Sequence, residues 1–422
     1  MKILLVAIGT RGDIEPFLAA GELLDRNAHE MVYAFPEQLC GLVPKQHRVH
    51  ALDHRFLDLI DSPEGRVIMG GRMSFLEKMR AYKHLYSEGM KINERMVQQQ
   101  MTITETEDPD LVVYHAKANF PPMWHLTTGK PIVLLSAVPY LIHATNNHPH
   151  LGFNLPGGKF FNRFSYTIAN YGLLRTVRGA TAKLPEQYRY SHAEFKRTLF
   201  STKCGYTVSP SIFPRPQEWP DHVRVLGYHE RDKQSDWQPT PALQQFLEKH
   251  EKILFLTFGS MINPRPKEVT HILLNELKRA NIPTLVNTAS GGLIVPEAYR
   301  NDPNFHFTER IPYDYIFPKM YAVVHHGGSG TTHTALKYGC ATMILPHIID
   351  QFMWNRMMAT QGVGPLGIGI SKITAENVQP LLRDLWNNPT YKARAEEIGR
   401  RMAREKIEAE FLQFIVGQEE GA

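Results

Sequence analysis

The hydrophobic pattern consists of short apolar runs separated by longer stretches in which apolar residues recur at helical spacing. The short runs predict strands, which in chain order are Lys2–Ile8, Met31–Phe35, Leu111–Tyr114, Pro131–Ser136, Val223–Gly227, Ile253–Phe258, Thr284–Asn287, Asn304–Phe307, Tyr321–Val324 and Ala341–Leu345. The first two runs flank a helical stretch, which is the pattern of a βαβ unit. The order of elements therefore predicts an α/β protein.

Helices are predicted between these strands. One helix is expected from about Pro16 to Arg26, because proline is accommodated in a first turn and apolar residues follow on one face. The stretch 53–106 is expected to be largely helical, with bulky apolar residues that suit a core or an adaptable apolar pocket, namely Met69, Met73, Phe75, Met79, Tyr82 and Leu85. From Thr374 onward the chain is again expected to be helical, with a break near Pro389.

Length and composition set the domain organisation. With 422 residues the chain is too long for one compact core, so two domains are expected. The polar, proline-containing stretch 229–250 predicts a linker between a first domain, 1–228, and a second domain, 251–400. No apolar run approaches the ~20 residues that span a bilayer, and Ile3–Ile8 is too short for the core of a signal peptide.

Cysteine spacing and net charge limit the expected cellular compartment and the expected binding partners. The three cysteines, Cys40, Cys204 and Cys340, lie far apart without CxxC spacing, so neither a zinc site nor a disulfide framework is predicted. This cysteine usage is typical of a reducing compartment, and a cytoplasmic location is expected. The net charge is +5, and no Lys/Arg run is dense enough to predict binding to nucleic acid. Weak peripheral contact of a basic face with a membrane stays open beside an ordinary solvated surface. A monomer and a homodimer are both compatible with the sequence.

The segment after the strand Tyr321–Val324 predicts an anion site. His326 and the turn Gly327, Gly328, Ser329, Gly330 lead into a helix that begins near Thr331 and Thr332. Glycines allow close approach of a phosphate, and the free N–H groups and dipole of a helix N-terminus favour negative charge. His326 could add a further donor. Taken alone, the pattern is also compatible with an ordinary strand-to-helix turn.

Two further turns are expected at the same edge of the second sheet, because loops at the carboxyl ends of parallel strands converge. Asp350 and Gln351 offer acceptors and donors suited to sugar hydroxyls. Gly259 and Ser260 follow another apolar strand, where N–H groups can meet a phosphate.

Asp13 and His115 are the candidate catalytic residues of the first half. Asp13 lies at the carboxyl edge of the first strand, just before a helix, where it could take a proton from a bound hydroxyl. It could equally be an acid that caps the helix or lies in its first turn. His115 ends another strand and is either a contact or auxiliary group at the acceptor site or a structural histidine.

The segment from Ala137 to Tyr190 is rich in aromatic residues and histidines. Long segments of this kind at the edge of a sheet usually form pockets or lids for a substrate. The histidines lack metal spacing, so no zinc site is predicted there. An aromatic lining would suit a hydrophobic acceptor.

Taken together, these motifs resemble the donor signature of family 1 glycosyltransferases. His325–Thr332 reads His-His-Gly-Gly-x-Gly-Thr-Thr, and Pro346–Gln351 reads Pro-x-x-x-Asp-Gln. The sterol and antibiotic branch is the most similar, since it often has Asp-Gln-Pro-Phe-Trp where this chain has Asp350–Trp354, Asp-Gln-Phe-Met-Trp. That branch also has Gly-Asp-x-x-Pro where Gly12–Pro16 stands.

The resemblance implies the GT-B fold, in which two Rossmann-like domains face a central cleft, the first for the acceptor and the second for the nucleotide sugar. The terminal segment 401–422 is then expected to cross back to the first domain as a helix. His326, the turn through Thr332 and the Gly259–Ser260 turn would bind the diphosphate. Asp350 and Gln351 would hold the donor sugar, and Asp13 would be the base, with Thr10, Arg11 and Gly12 lining the site.

The chain departs from the plant pattern at two places. Arg310–Tyr313, which reads Arg-Ile-Pro-Tyr and includes Ile311, stands where plant members carry Trp-x-Pro-Gln, whose Trp stacks on uracil; the Arg310 guanidinium could stack instead. Thr334 stands where plant enzymes carry a ribose-binding Glu. The sterol and antibiotic branch also lacks this Glu. A UDP-sugar donor is expected, with a dTDP-sugar still open. Glucose is expected as the sugar, because Asp-Gln usually accompanies it, with rhamnose and other deoxysugars also open.

The reaction predicted from this resemblance is inverting and independent of metal and cofactor, with transfer of a hexose to a hydrophobic acceptor such as a sterol, polyketide, flavonoid, carotenoid or lipid. One alternative is a nucleotide-sugar epimerase or hydrolase of the same fold, which would convert donor without acceptor. Another is a nucleotide-sugar binding protein without catalysis, for which Asp13 would have no use. A dehydrogenase is disfavoured because the loop after the first strand lacks GxGxxG.

Overall fold

The computed structural model describes residues 1–60, 62, 64–65, 75–153, 157–232, 237–263, 265–289 and 291–417, without the side chains of residues 75–79 and 81–82. This part of the chain forms two compact units. The first contains the described residues of 1–65, 75–232 and 406–417, and the second contains 237–405. Some residues named above lie outside the described part, wholly or with their side chains: Met69, Met73, Phe75, Met79, Tyr82 and, in the expected linker, residues 233–236.

The first unit is a parallel α/β layer structure. Its described strands are β1 Lys2–Val6, β2 Glu30–Pro36, β3 Arg48–Leu52, β4 Leu111–His115, β5 Ile132–Ser136, β6 Lys203–Tyr206 and β7 Val223–Val225. They form one parallel sheet in the order β3-β2-β1-β4-β5-β6-β7. β1 therefore lies directly beside β4, with Val6 level with Tyr114. The carboxyl ends of these two strands meet at one edge.

Helices cover this sheet on both faces, as connections between parallel strands require. They are α1 Arg11–Arg26, α2 Arg55–Ile60, α3 Phe75–Glu107, α4 Pro121–Thr128, α5 Lys159–Thr181 and α6 His192–Ser201, joined by the last helix of the chain, Ile407–Val416. Phe411 and Ile415 of that last helix belong to the same buried core as Ile3, Leu5 and Phe17. The end of the chain is thus part of the first unit.

The second unit is also parallel. Its described strands are β8 Leu254–Thr257, β9 Thr284–Asn287, β10 Phe305–Thr308, β11 Ala322–His325 and β12 Ala341–Ile344, in the sheet order β10-β9-β8-β11-β12. Its helices are α7 Pro241–Lys249, α8 Pro266–Arg279, α9 Tyr313–Ile316, α10 Ser329–Lys337, α11 Ile349–Gln361, α12 Ala375–Asn387 and α13 Pro389–Met402; the last helix of the chain is α14. β11 lies between β8 and β12, with His325 level with Thr257 and Ile344.

The predicted α/β class with parallel sheets is confirmed. Strand ends differ from the prediction by one or two residues, as boundaries commonly do. The start of α1 was wrong: the helix begins at Arg11, so Gly12 and Asp13 lie in its first turn and Pro16 lies inside it. The Thr10–Asp13 capping interaction supplies partners to the helix N-terminus and extends the helix ahead of the proline.

Two other stretches also differ from the sequence prediction. α10 begins at Ser329, two residues before Thr331. Within the expected linker 229–250, residues 241–249 form α7, whose Leu243 and Phe246 are buried in a core of the second unit. Amphipathic spacing in this short segment was overlooked because its prolines and polar residues dominate. In the described part of the chain, no helix is both long enough and apolar enough to cross a membrane.

Candidate functional site

The glycine-rich turn between β11 and α10 leaves a helix N-terminus open. Gly328 is the N-cap and has no side chain with which to cap, and the first turn contains no acidic residue. Helix geometry leaves the first N–H groups of any α-helix without carbonyl partners in the helix itself. N–H groups at the positive end of a helix dipole favour an anion.

Thr332 plays a different part from its neighbours. It is fully buried, and both its N–H (2.9 Å) and its hydroxyl (2.8 Å) donate to the carbonyl of Gly328. Its donors are therefore used inside the helix, where they hold the first turn. The outward donors of the segment are those of residues 328–331.

His326 lies between two glycine turns. A Cβ on Gly259 would lie 2.9 Å from its Cε1, and a Cβ on Gly328 would lie 2.5 Å from its Nε2, so both positions require glycine for the ring to fit. The ring is buried, and its Nδ1 has no hydrogen-bond partner among the residues that the structure describes. Burial, helped by the neighbouring His325 and His347, holds the pKa of His326 well below its ordinary value. His326 is thus a neutral imidazole that can still donate one N–H.

His325 has a structural role that the sequence did not separate from that of His326. It is fully buried in β11, and its Nδ1 accepts the N–H of Gly327 at 3.1 Å. Burial lowers the pKa of His325 to about 3, so it stays neutral at physiological pH. Gly327 itself has a φ of 97° and packs against Ile344 and Gln351. His325 fixes the turn, and His326 is the histidine beside the open helix end.

The second turn, Gly259–Ser260, follows β8 at the same edge of the sheet. The N–H of Gly259 donates to Oγ1 of Thr257 at 3.1 Å, so it is already engaged. Gly259 has a φ of 56°, a left-handed conformation that favours glycine. Any donor that this turn offers to a phosphate must therefore come from Ser260, which is exposed.

Asp350 and Gln351 lie in the first turn of α11, next to the glycine-rich turn. Oε1 of Gln351 accepts the N–H groups of His347 (2.8 Å) and Ile348 (3.2 Å), which caps this helix from a buried position. A contact of Gln351 with a sugar must then use its Nε2. Asp350 is partly exposed.

Arg310 and Ile311 differ in what they can offer. Arg310 is exposed, whereas Ile311 is buried in a core cluster with Phe255 and Phe317. The Arg310 side chain is accessible for stacking on a base, but the Ile311 side chain is not, and only its backbone could reach a ligand.

In the first unit, Asp13 has both a structural and a chemical position. Its Oδ2 accepts the N–H of Thr10 at 2.8 Å and the Thr10 hydroxyl at 3.2 Å, which caps α1. A Cβ on Gly9 would lie 2.1 Å from Oδ2, and Gly9 has a φ of 145°. Gly9 is therefore required for the carboxylate to fold back over the turn. Asp13 therefore caps the helix, as one of the two sequence interpretations expected, but it does so with Oδ2 only.

The other oxygen of Asp13 faces two basic side chains. Oδ1 lies 3.2 Å from Nζ of Lys117 and 3.5 Å from Nε2 of His115, which ends β4. The structure thus brings Asp13 and His115 together, as the adjacent strands require. Thr10 and Gly12 are exposed beside them, whereas Arg11 pairs with Glu15 at 2.9 Å.

The electrostatic balance keeps Asp13 ionised. Burial opposes its ionisation, but Lys117, His115 and the Thr10 N–H together lower the pKa of Asp13 below its ordinary value. Burial lowers the pKa of His115 to about 4; Asp13 opposes that shift and Lys117 adds to it. At physiological pH the site therefore holds a carboxylate, a neutral imidazole and an ammonium group. A carboxylate in this state can accept a proton.

Lys117 was missed by the sequence interpretation. It lies two residues after His115, in the turn that follows β4, and nothing in the run His-Ala-Lys-Ala distinguishes it from a solvated lysine. The available signal is its position just beyond a strand end at the edge of the sheet where Asp13 was already expected.

Comparisons with known proteins give the same resemblance. Residues 296–417 match the family model of the C-terminal domain of erythromycin biosynthesis protein CIII-like proteins. The chain is 28% identical to a sterol 3-beta-glucosyltransferase of Arabidopsis thaliana over 96% of this chain and 66% of that protein. The sterol glucosyltransferases that it matches are longer, and the chain spans between 26% and 66% of their lengths.

Solved structures agree on the fold. The glycosyltransferase of kitacinnamycin superposes with a TM-score of 0.71 at 15% identity, covering 98% of this chain and 99% of that chain. The Streptomyces sp. SF2575 glycosyltransferase SsfS6, complexed with thymidine diphosphate, superposes with a TM-score of 0.61 at 16% identity, covering 99% of this chain and 100% of that chain. The GT-B fold with two Rossmann-like units is confirmed, and so is the resemblance to the sterol and antibiotic branch of family 1 glycosyltransferases.

Proposed function

We propose that this chain, as a GT-B glycosyltransferase of the sterol and antibiotic branch, transfers glucose from UDP-glucose to a hydroxyl group of a sterol or similar hydrophobic acceptor. The proposed reaction inverts the anomeric centre, needs no metal ion and takes place in the cytoplasm. The observation that carries the proposal is the pair of sites described above, an ionised carboxylate at one strand edge and an open, acid-free helix N-terminus at another.

In the donor site, the diphosphate would meet the N–H groups of residues 328–331 and the neutral His326. As the bond from the anomeric carbon to the diphosphate oxygen breaks, its electron pair leaves with the nucleoside diphosphate. Donors that are already fixed in place stabilise this growing negative charge without reorganisation. Ser260 would add a donor, and Asp350 and Nε2 of Gln351 would contact the sugar hydroxyls.

On the acceptor side, Oδ1 of Asp13 would take the proton of the attacking hydroxyl as its oxygen bonds to the anomeric carbon. Oδ2 stays on the Thr10 N–H, so the carboxylate keeps its orientation while Oδ1 acts. Lys117 and His115 both face Oδ1, and the acceptor hydroxyl must approach among them. His115, being neutral, could accept or relay a hydrogen bond without adding charge.

The choice of glucose and sterol rests on the sterol 3-beta-glucosyltransferases to which the chain is similar over nearly all of its length. A structural neighbour was solved with thymidine diphosphate, so the test compares dTDP-sugars with UDP-sugars. Arg310, which is exposed where plant members have a stacking tryptophan, is the residue we expect to contact the base.

The test is release of nucleoside diphosphate from a panel of UDP- and dTDP-sugars, with and without sterols and other hydrophobic alcohols, in the presence and absence of EDTA. Release that needs both UDP-glucose and a sterol, and that EDTA does not reduce, is the expected result. Conversion of donor without acceptor would favour the epimerase or hydrolase alternative. Tight donor binding without turnover would favour a binding protein.

A further inference from the structure

Helix α5 has a mixed inward face, on which Tyr166, Leu174, Val177 and Ala180 are buried together with three polar residues, and an outward face that carries large apolar side chains. Asn162, Ser165 and Asn170 are buried, and they bond to the loop that follows β5: Asn162 donates to the Asn146 carbonyl, the Ser165 hydroxyl accepts the His150 N–H, and Asn170 donates to the Ile142 carbonyl. A helix that only packs on a core has polar residues on its outward face. The outward face of α5 therefore needs a separate explanation.

The outward face is a stripe of large apolar side chains. Phe160 is 84% exposed and Tyr171 is 63% exposed, and Phe161, Phe164 and Ile168 are also exposed. The spacings 160, 164, 168 and 171 place these residues along one side of the helix. Phe160 and Phe164 stack on each other with ring centroids 6.2 Å apart. Contiguous exposed apolar surface of this kind marks an interaction site.

Basic residues accompany the stripe, and acidic residues do not. Within α5 the charged residues are all cations, Lys159, Arg163, Arg175 and Arg178, and all four are exposed. The acid-free stretch is much longer than the helix, since no Asp or Glu occurs between Asp110 and Glu186. The charges that the helix itself carries beside the aromatic stripe are therefore all positive.

We propose that this face of α5, the outer residues of 159–178, binds the surface of an anionic lipid membrane. Aromatic and aliphatic side chains insert at the boundary between headgroups and acyl chains, and the surrounding arginines and lysine are attracted to acidic headgroups. The helix lies in the plane of the surface, anchored to the fold by its inward face, through both buried apolar residues and hydrogen bonds. The proposal concerns binding only, so it stands or falls separately from sugar transfer.

A second copy of this chain is a less suitable partner for the same face. A two-fold interface pairs one patch with itself, which would place the arginines of one copy against those of the other. Like charges without acidic partners oppose such contact, whereas an anionic membrane neutralises them. Charge complementarity thus favours the lipid surface.

The experiment is flotation of the purified full chain with vesicles of phosphatidylcholine alone and of phosphatidylcholine mixed with phosphatidylserine. Wild-type protein should float with the mixed vesicles and much less with phosphatidylcholine, and added salt should weaken the binding. The double variant F160S/F164S should lower the partition coefficient on the order of tenfold or more, because two exposed rings no longer insert. The variant R175E/R178E should abolish the preference for phosphatidylserine.

A matched control is Tyr86→Ser, which removes an exposed aromatic ring from α3. It should float like wild type. Circular dichroism and thermal unfolding of each variant establish that the fold is retained, which is expected because every substituted side chain is exposed. Equal flotation of F160S/F164S and wild type would overturn the proposal. So would a concentration-dependent dimer that F160S/F164S dissociates while wild type ignores both kinds of vesicle.

Discussion

The N-termini of α1 and α10 have similar backbone settings but differ in the charge of the residues in the first helical turn. Each follows a central strand of a parallel sheet through a short turn that contains a glycine with positive φ, Gly9 and Gly327. α1 carries its own carboxylate in the first turn, Asp13, which accepts the Thr10 N–H. α10 has no acid in its first turn and a glycine at its N-cap. One helix end has a carboxylate of its own as a cap, and at the other neither the N-cap residue nor the first turn supplies one.

The charged groups around the two turns follow the same division. Asp13 is ionised and faces Lys117, whereas the histidines around the second turn are buried and neutral, with the pKa of His325 lowered to about 3. The same strand–turn–helix element thus holds a carboxylate at one site and only neutral groups at the other, and the residue in the first helical turn makes the difference. The base role proposed for Asp13 and the phosphate site proposed at the second turn rest on this difference.

The largest expected effect comes from giving α10 the acid that α1 has. Ser329→Asp places a carboxylate in the first turn of α10, where the helix dipole stabilises it by about 0.5 kcal/mol. The same charge repels a diphosphate, so the dissociation constants of UDP and dTDP should rise on the order of a hundredfold. Isothermal titration measures both. Ser329→Asn, similar in size but neutral, is the matched control, and equal affinities of the two variants would contradict the comparison.

The substitution Gly9→Ala should disrupt the capped turn that precedes α1. The added Cβ would lie 2.1 Å from Oδ2 of Asp13, at a φ of 145°. We expect a loss of about 2 kcal/mol or more in the free energy of unfolding, because the backbone is strained and the carboxylate must move off its cap. Urea denaturation measures this loss. Gly41→Ala, where a Cβ meets no atom within 4 Å, should change stability by no more than about 0.5 kcal/mol.

Acid should act on His115 before it acts on Asp13. The pKa of His115 is lowered from 6.5 to about 4 in the folded protein. Its contribution to stability is complete above pH 6.5 and is lost as the pH falls toward 4, because the unfolded chain then binds a proton that the folded chain does not. His115→Gln should flatten the stability–pH slope in that window by up to about 1.4 kcal/mol per pH unit.

Urea denaturation of His115→Gln between pH 7 and pH 4 measures this change. A slope of unfolding free energy against pH that equals the wild-type slope would contradict the prediction. Asp13 behaves oppositely, since its pKa is lowered below 3.8. Its contribution is present above pH 3.8 and is lost only as the pH falls through the folded value, so the two groups separate along the pH axis.

The smallest effect is expected for Lys117→Met. Lys117 lowers the pKa of Asp13, and its side chain is 47% exposed, so solvent screens part of its pull. Removing it should raise the pKa of Asp13 and move the acidic limb of the pH–rate profile to higher pH. Lys130→Met, which removes a lysine paired with Asp108 instead, should leave that limb in place. A stationary limb in both variants would show that Lys117 does not act on Asp13.

Much of the fold could be predicted from the sequence because the central strands are apolar throughout; Ile3–Val6 and Ala322–Val324, for example, are almost entirely inaccessible to solvent. The glycine-rich turn and Asp13 were identifiable because their chemistry is carried by residues close together in the sequence. The resemblance to family 1 glycosyltransferases then suggested the roles of these residues.

What the sequence did not indicate depends on contacts between distant segments. The ion pair of Asp13 with Lys117 exists only because β1 and β4 are neighbours in the sheet. Gln351 caps a helix, and His325 fixes the turn whereas His326 lies beside the helix end. These different roles depend on side-chain directions that a sequence motif does not specify. The early start of α1 was missed because Pro16 indicated a first turn.

The most direct test of the central claim is Asp13→Asn, assayed for both turnover and donor binding. Asparagine keeps an oxygen that can accept the Thr10 N–H, so α1 should stay capped while the proton acceptor is lost. We expect turnover to fall on the order of 10²- to 10⁴-fold, with the dissociation constant of the UDP-sugar nearly unchanged. Retained turnover, or loss of donor binding, would contradict the assignment of Asp13 as the base.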